Sequence, residues 1–376
     1  MNILLPFAKS SLKSRPRWFW PAIAAGGLLG VGTISYAAVQ YRKQTTQPFL
    51  TPVAQTTVAP TPSPTPTPTP PTYSHLNGAA VTAGQENVRP LAVMIENHPD
   101  ARPQSGLDVA SVVYEAVAEG GITRFMALYG DPAQAVRLGP IRSSRPYYIH
   151  FAAEYGASYA HIGGSADAMS LLASGRSGVQ NIDGLSLGEP LFVRDFSRKV
   201  ALEHTEYSTT DRLWAYAASQ HWPATNEYPS LPFADDAPAV SRPAAQVISV
   251  SVSAPEYAVR WEYDPASNSY KRTMAGQPHI DVDDNKQITA KTVVLQTVNS
   301  SPYIETYGGG ISKTVSDVTL TGSGAATVIE NGTATKGTWK YDGARTRYYD
   351  AAGKELSLVR GKLWVELTYG DSVVSF

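Results

Sequence analysis

Arginine dominates the chemistry available to this chain. Between Arg89 and Ala245 there are 11 arginines and one lysine, Lys199, whereas from Gln246 to Phe376 there are 5 arginines and 8 lysines. A planar guanidinium fork suits carboxylates and phosphates, which it can hold through two parallel hydrogen bonds. Four arginines fall where strands are expected to begin or end: Arg102 in Ala101-Arg102-Pro103-Gln104, Arg124 closing Glu119-Gly120-Gly121-Ile122-Thr123-Arg124, and Arg142 and Arg145 in Gly139-Pro140-Ile141-Arg142-Ser143-Ser144-Arg145. If Ser143 or Ser144 caps a following helix, Arg142 and Arg145 flank its positive end. A second place of this kind is His161-Ile162-Gly163-Gly164-Ser165-Ala166-Asp167, where a strand runs into two glycines and a serine fit to cap a helix. Backbone amides there can meet an anion. The segment lacks the Lys of a phosphate-binding P-loop and the Gly-x-Ser-x-Gly of a nucleophile elbow.

The expected ligand-binding set is therefore Asn97, Arg102, Arg124, Arg142, Arg145, Gly163, Gly164 and Ser165. Glu96, Glu119 and His204 are the candidates for acid–base work, and the sequence leaves open whether there is any catalysis. The competing fate of the arginines is internal pairing with Glu96, Glu115, Glu119 and Asp195. No metal-ligand set and no cofactor motif is legible. Asp281-Val282-Asp283-Asp284-Asn285 begins like a calcium loop, but Lys286 stands where glycine is needed and Thr292 where the bidentate glutamate belongs.

Alternating strand-like and helical patterns predict an α/β arrangement over residues 88–245. Pro90–Glu96, Thr123–Gly130 and Ser158–Ile162 read as strands, and Asp108–Glu119, Pro146–Tyr155 and Ala166–Ala173 as helices. Residues 246–376 read as a mainly antiparallel β domain, with short Val-, Thr- and aromatic-rich runs separated by turns such as Asn331-Gly332 and Asp342-Gly343.

The N-terminal end sets the location. A basic segment, residues 1–17, precedes an apolar run over 18–39 that is long enough to span a bilayer. Four cations stand before the run and two after it, so the N-terminus is expected in the cytoplasm and the rest outside, as a single-pass anchor. Ser35-Tyr36-Ala37 also offers small residues at signal-peptidase positions, and cleavage there exports the same domains. Residues 40–87, Pro/Thr-rich, read as an extended linker. The first 43 residues carry six bases and no acid, leaving 25 bases against 32 acids, a net of −7, for the remainder. That balance argues against nucleic acid as a partner. The chain has no cysteine, so neither disulfides nor a lipid-modified cysteine is available.

Taken together, Arg89-Pro90-Leu91-Ala92-Val93-Met94-Ile95-Glu96-Asn97, Ala101-Arg102-Pro103-Gln104-Ser105-Gly106-Leu107, Val113-Tyr114-Glu115, Glu119 to Phe125, Gly139 to Arg145 and His161 to Ser165 resemble the signature of the YerB-like bacterial cell-envelope proteins. The second half resembles them through Trp261-Glu262-Tyr263-Asp264, Gly337-Thr338-Trp339 and Gly361-Lys362-Leu363-Trp364-Val365. Many relatives look like lipoproteins, and this chain departs from them in lacking the cysteine. The resemblance implies two domains of unknown function in the cell envelope. The expected partners are the cell membrane, through the N-terminal helix, and a wall component or a wall-synthesis protein. A looser similarity in motif order to the LytR-CpsA-Psr phosphotransferases implies another role. There Arg142 and Arg145 would clamp a polyprenyl pyrophosphate bridged by magnesium, with Arg124 or Arg102 neutralising the leaving group. The expected function is binding of an anionic, phosphate- or carboxylate-bearing wall ligand in an arginine-lined cleft. The alternatives are that phosphotransferase chemistry and a non-catalytic adaptor for wall-synthesis enzymes.

Overall fold

The computed structural model describes residues 70–307 and 310–376. The expected anchor at 18–39 and most of the linker lie outside them. Among the described residues no helix is long and apolar enough to cross a membrane. The linker ends before residue 87. Thr72–Tyr73 pairs with Ala80–Val81, and Leu76 is buried in the core.

In chain order the elements used below are β1 Leu91–Glu96, β2 Val112–Glu119, β3 Ile122–Tyr129, α1 Pro146–Ala153, β4 Ser158–His161, α2 Ala166–Ala173, β5 Gln180–Asp183, β6 Glu206–Thr209, α3 Thr210–Ser219, β7 Val247–Ser251, β8 Val259–Asp264, β9 Ser269–Met274, β10 Thr292–Thr297, β11 Asn299–Tyr307, β12 Ile311–Thr319, β13 Ser323–Glu330, β14 Thr333–Tyr341, β15 Thr346–Asp350, β16 Leu363–Thr368 and β17 Val373–Ser375. One large mixed sheet runs β15-β14-β13-β10-β16-β2-β3-β1-β4-β5. Strands from both halves meet in it, because β16 pairs in parallel with β2 through Leu363↔Val112 to Glu366↔Glu115. The change of composition near Ala245 is therefore crossed by backbone hydrogen bonds, and residues from Thr69 onward form one unit. A smaller sheet holds β9-β8-β7-β17.

The period of two along the strands explains the layers. On β1, Ala92 and Met94 face Tyr147, Tyr148 and Phe151 of α1 and Ala168 and Leu172 of α2. Leu91, Val93 and Ile95 face the opposite side, where Trp261, Tyr270 and Trp364 pack from the smaller sheet and from β16. The molecule is mostly β with few helices, a mixed α/β N-terminal part joined to a β-rich C-terminal part.

One element changes type. Val109, Val112, Val113 and Ala116 have helical spacing, yet residues 112–119 form the central strand β2. Val112, Val113 and Tyr114 are all buried, and a strand covered on both faces reads as a continuous apolar run, which spacing alone does not separate from a buried helix.

Candidate functional site

Most of the predicted polar residues sit at one end of β1–β3. β2 ends in a bulge between Val117 and Glu119, followed by Gly120 at φ 58° and Gly121 at φ 78°. These left-handed positions favour glycine and close the hairpin to β3, and the bulge re-aims Glu119. Arg124 lies opposite Glu96 in the β1/β3 register.

Glu119 joins two guanidiniums. Arg124 Nη2 donates to its Oε1 at 2.9 Å, and Arg145 Nη2 donates to its Oε2. Both arginines are buried. Burial alone would raise the Glu119 carboxyl, but Arg124 and then Arg145 outweigh it and hold the group at about 2. Arg124 also donates to the Ser143 carbonyl at 2.8 Å, so the 139–145 loop is tied to the end of β3.

Glu96 organises the second cluster. Its Oε1 accepts from Arg142 Nε at 2.9 Å and its Oε2 from His204 Nδ1 at 2.7 Å. Arg142 Nη2 reaches Glu203 at 3.1 Å. The His98 ring stacks on His204, centroids 4.7 Å apart and planes within 8°. Asn97, the next residue after Glu96, anchors a third network. Its amide donates to Thr123 at 2.7 Å, and its oxygen accepts from Arg102 at 3.1 Å and Gln104 at 3.0 Å. Arg102 also lies over the Tyr257 ring, 5.2 Å from its centre.

The structure thus brings Glu96, His204 and Arg142 together, and separately Glu119, Arg124 and Arg145. It does not gather the four arginines around one open anion site. Arg124, Arg142 and Arg145 are each met by an internal carboxylate, and Arg102 is turned onto Asn97 and Tyr257. A guanidinium withdrawn from water has to find a carboxylate, and the strand ends supply them. Arg142 and Arg145 point into different ion pairs, so they do not form the common pyrophosphate clamp that the phosphotransferase similarity implies.

Three cavities among the described residues lie away from the expected arginine-lined cleft. One, of about 940 Å³, lies between Ser74–Gln85 and Gly130–Ala133. Two others, of about 450 and 430 Å³, lie at Ile149, Leu171 and Thr319 and at Val117, Val298 and Tyr369. None of the four arginines lines these three.

The glycine loop is built as expected but its amides are largely used. His161 bridges the Gly163 carbonyl and Asn181 Oδ1, both at 2.7 Å. Gly163 N donates to Asp183 Oδ1 at 2.9 Å, and Ser165 N donates to the Ser144 carbonyl at 3.3 Å. Ser165 caps α2 through Ala168 N. Ser143 and Ser144 do not cap α1. Its N-cap is Arg145, and the Ser144 hydroxyl instead meets Tyr159 at 2.7 Å.

The Ala166 amide, at the start of α2, donates to the carboxylate of Glu305 on the β11–β12 hairpin. Beside it, the Tyr303 hydroxyl donates to Asp167 at 3.2 Å. Burial first, then the Asp167 charge, push Tyr303 up to about 12, and Arg145 is near enough to oppose them. Glu305 is invisible to sequence reasoning because it sits in a polar ribbon with no strong pattern. His98 and Asp100, which flank Pro99 just beyond β1, were missed as well, because their neighbour His204 is more than a hundred residues away in the chain.

Two family models match this chain: the protein of unknown function (DUF3048) N-terminal domain over residues 76–223 and the DUF3048 C-terminal domain over 248–365. The chain is 31% identical over 288 residues to "Putative lipoprotein YerB" of Bacillus subtilis (strain 168), covering 74% of this chain and 81% of that protein. The crystal structure of YerB from Bacillus subtilis is similar to it with a TM-score of 0.68 at 27% identity, over 81% of this chain and 99% of that one. Matched in order by both family models and across most of its length by a relative of the same architecture, the chain belongs to the DUF3048, YerB-like family.

Proposed function

We propose that this chain is an extracytoplasmic protein held at the membrane by its N-terminal segment, and that it binds an anionic group of a wall component where the 142–145 and 163–166 loops meet. The lipoprotein name of its relative and the basic-then-apolar N-terminus support the location. The ligand reading rests on Glu305. A carboxylate from an outlying ribbon occupies the first amide of α2, next to Tyr303, which lies within the electrostatic reach of Arg145. A helix N-terminus with a guanidinium in reach favours an anion, and Glu305 is an anion of the kind a phosphate or carboxylate ligand would replace. The ribbon is suited to moving. Among the described residues its strand pairing with the large sheet is Val315 with Glu119, its base is held by Val318 in the core, and Ile304 beside Glu305, towards the tip, is 73% exposed. Two-stranded ribbons have little stability of their own.

The test titrates inorganic pyrophosphate into the full chain and its Glu305→Ala variant by calorimetry. Removing the internal carboxylate is expected to tighten binding at least about tenfold, the equivalent of 1.4 kcal/mol. Equal affinities in the two proteins, or no heat from either, would reject the site.

A further inference from the structure

We infer that His98, Asp100 and His204 form a binding site for a divalent transition-metal ion of the zinc class. One donor atom from each residue lies within 4.8 Å of the other two. Zinc holds imidazole nitrogen and carboxylate oxygen at roughly 2.0–2.2 Å with the ion in each ring plane, so the half-exposed His98 ring, now stacked on His204 with planes within 8°, has to turn about its side-chain torsions for both lone pairs to meet one ion.

His204 is prepared for this role. It is 4% exposed, and its Nδ1 proton is held by Glu96 Oε2 at 2.7 Å, which leaves the lone pair on Nε2. The nearest acid to Nε2 is Glu203, at 4.0 Å, beyond hydrogen-bonding range. Glu96 is itself fixed by Arg142. A buried carboxylate that orients a histidine from its far nitrogen is the outer-shell arrangement found behind metal-bound imidazoles.

His98 and Asp100 complete the set from the short turn after β1. His98 Nδ1 now accepts a long bond from the Asp100 amide, 3.2 Å, and lies 3.7 Å from Asp100 Oδ2. A cation between that nitrogen and that oxygen would replace the long bond with two coordinate bonds. Two imidazoles and one carboxylate, in a chain without cysteine, favour zinc, copper(II), nickel or iron(II) over magnesium and calcium, which prefer all-oxygen sets. Three protein ligands leave a fourth position open to water or an incoming group.

The test strips the full chain with a chelator and titrates Zn²⁺ against a chromophoric competitor, with circular dichroism confirming that each variant is folded. The parent is expected to take up one equivalent. His98→Ala and Asp100→Asn alter exposed or half-exposed side chains and so keep the fold, and each is expected to weaken uptake at least about a hundredfold. Glu96→Gln, which touches no metal, is expected to cost about 10- to 100-fold. A parent that binds no Zn²⁺, or an affinity unchanged in both His98→Ala and Asp100→Asn, would overturn the assignment.

Discussion

Replacing Glu119 with alanine is expected to destabilise the protein by about 3–5 kcal/mol, the cost of leaving buried charge without its partner. Two guanidiniums depend on this one carboxylate, and both are all but sealed from solvent, Arg124 at 1% and Arg145 at 3% exposure. Losing Glu119 strands them together, so repulsion adds to desolvation. The variant's urea midpoint against the parent's measures the effect, and a loss below about 1 kcal/mol would mean that water reaches the pair. The same interaction carries a pH signature. Glu119 is held at about 2 against an ordinary value of 4.5, so its contribution is complete above about 4.5 and is lost as acid takes the pH down towards 2.

Arg272→Met is the second large effect, again about 3–5 kcal/mol. Glu115 on β2 and Glu366 on β16 are register partners on adjacent parallel strands, both 3% exposed. Arg272, from β9, is completely buried against them, with Nη2 2.5 Å from Glu115 and Nε 4.0 Å from Glu366. The Trp364 ring lies 4.7 Å from its guanidinium carbon, and Trp261 donates to Glu366 at 2.8 Å. Burial, and then the Glu115 carboxylate, push Glu366 upward, and Arg272 partly restrains the shift. The folded protein therefore keeps a proton that the unfolded chain releases above pH 4.5, so stability is greatest below that value and falls as the pH rises towards the folded-state value. For one proton the slope is about 1.4 kcal/mol per pH unit. Glu366→Gln should flatten it while keeping an acceptor for Trp261, and combined with Arg272→Met it should recover part of the loss. Urea titrations between pH 5 and 8 on the four proteins measure all three effects. A Glu366→Gln slope equal to the parent's would contradict the protonated state.

How much of this was legible depends on how local each signal is. Leu91–Glu96, Ala166–Ala173 and the Ser165 cap follow from residues within one turn or strand of each other, and they appear as read. The shared sheet does not, because nothing in Val112–Glu119 or Leu363–Thr368 encodes that the two strands are neighbours. The arginines were placed at strand ends by sequence, but their pairing was decided by acids that the fold brings to them. Glu96 acquired both Arg142 and His204, and Glu119 acquired Arg124 and Arg145. Arg272 escaped notice in the alternating Ser269–Met274 stretch, where it reads as an ordinary outward cation and yet is fully covered.

The pairing of β2 with β16 ties the order of synthesis to the order of folding. Residues 112–119 hold their place between β3 and a strand formed by residues 363–368, so the middle of the sheet is completed only after the whole intervening stretch and that distant strand have been delivered. Until then β2 presents an open edge of uncapped amides and carbonyls to whatever surrounds it. A product truncated before Leu363 would keep that edge permanently, and would be a target for proteases and self-association rather than a smaller working version of the molecule.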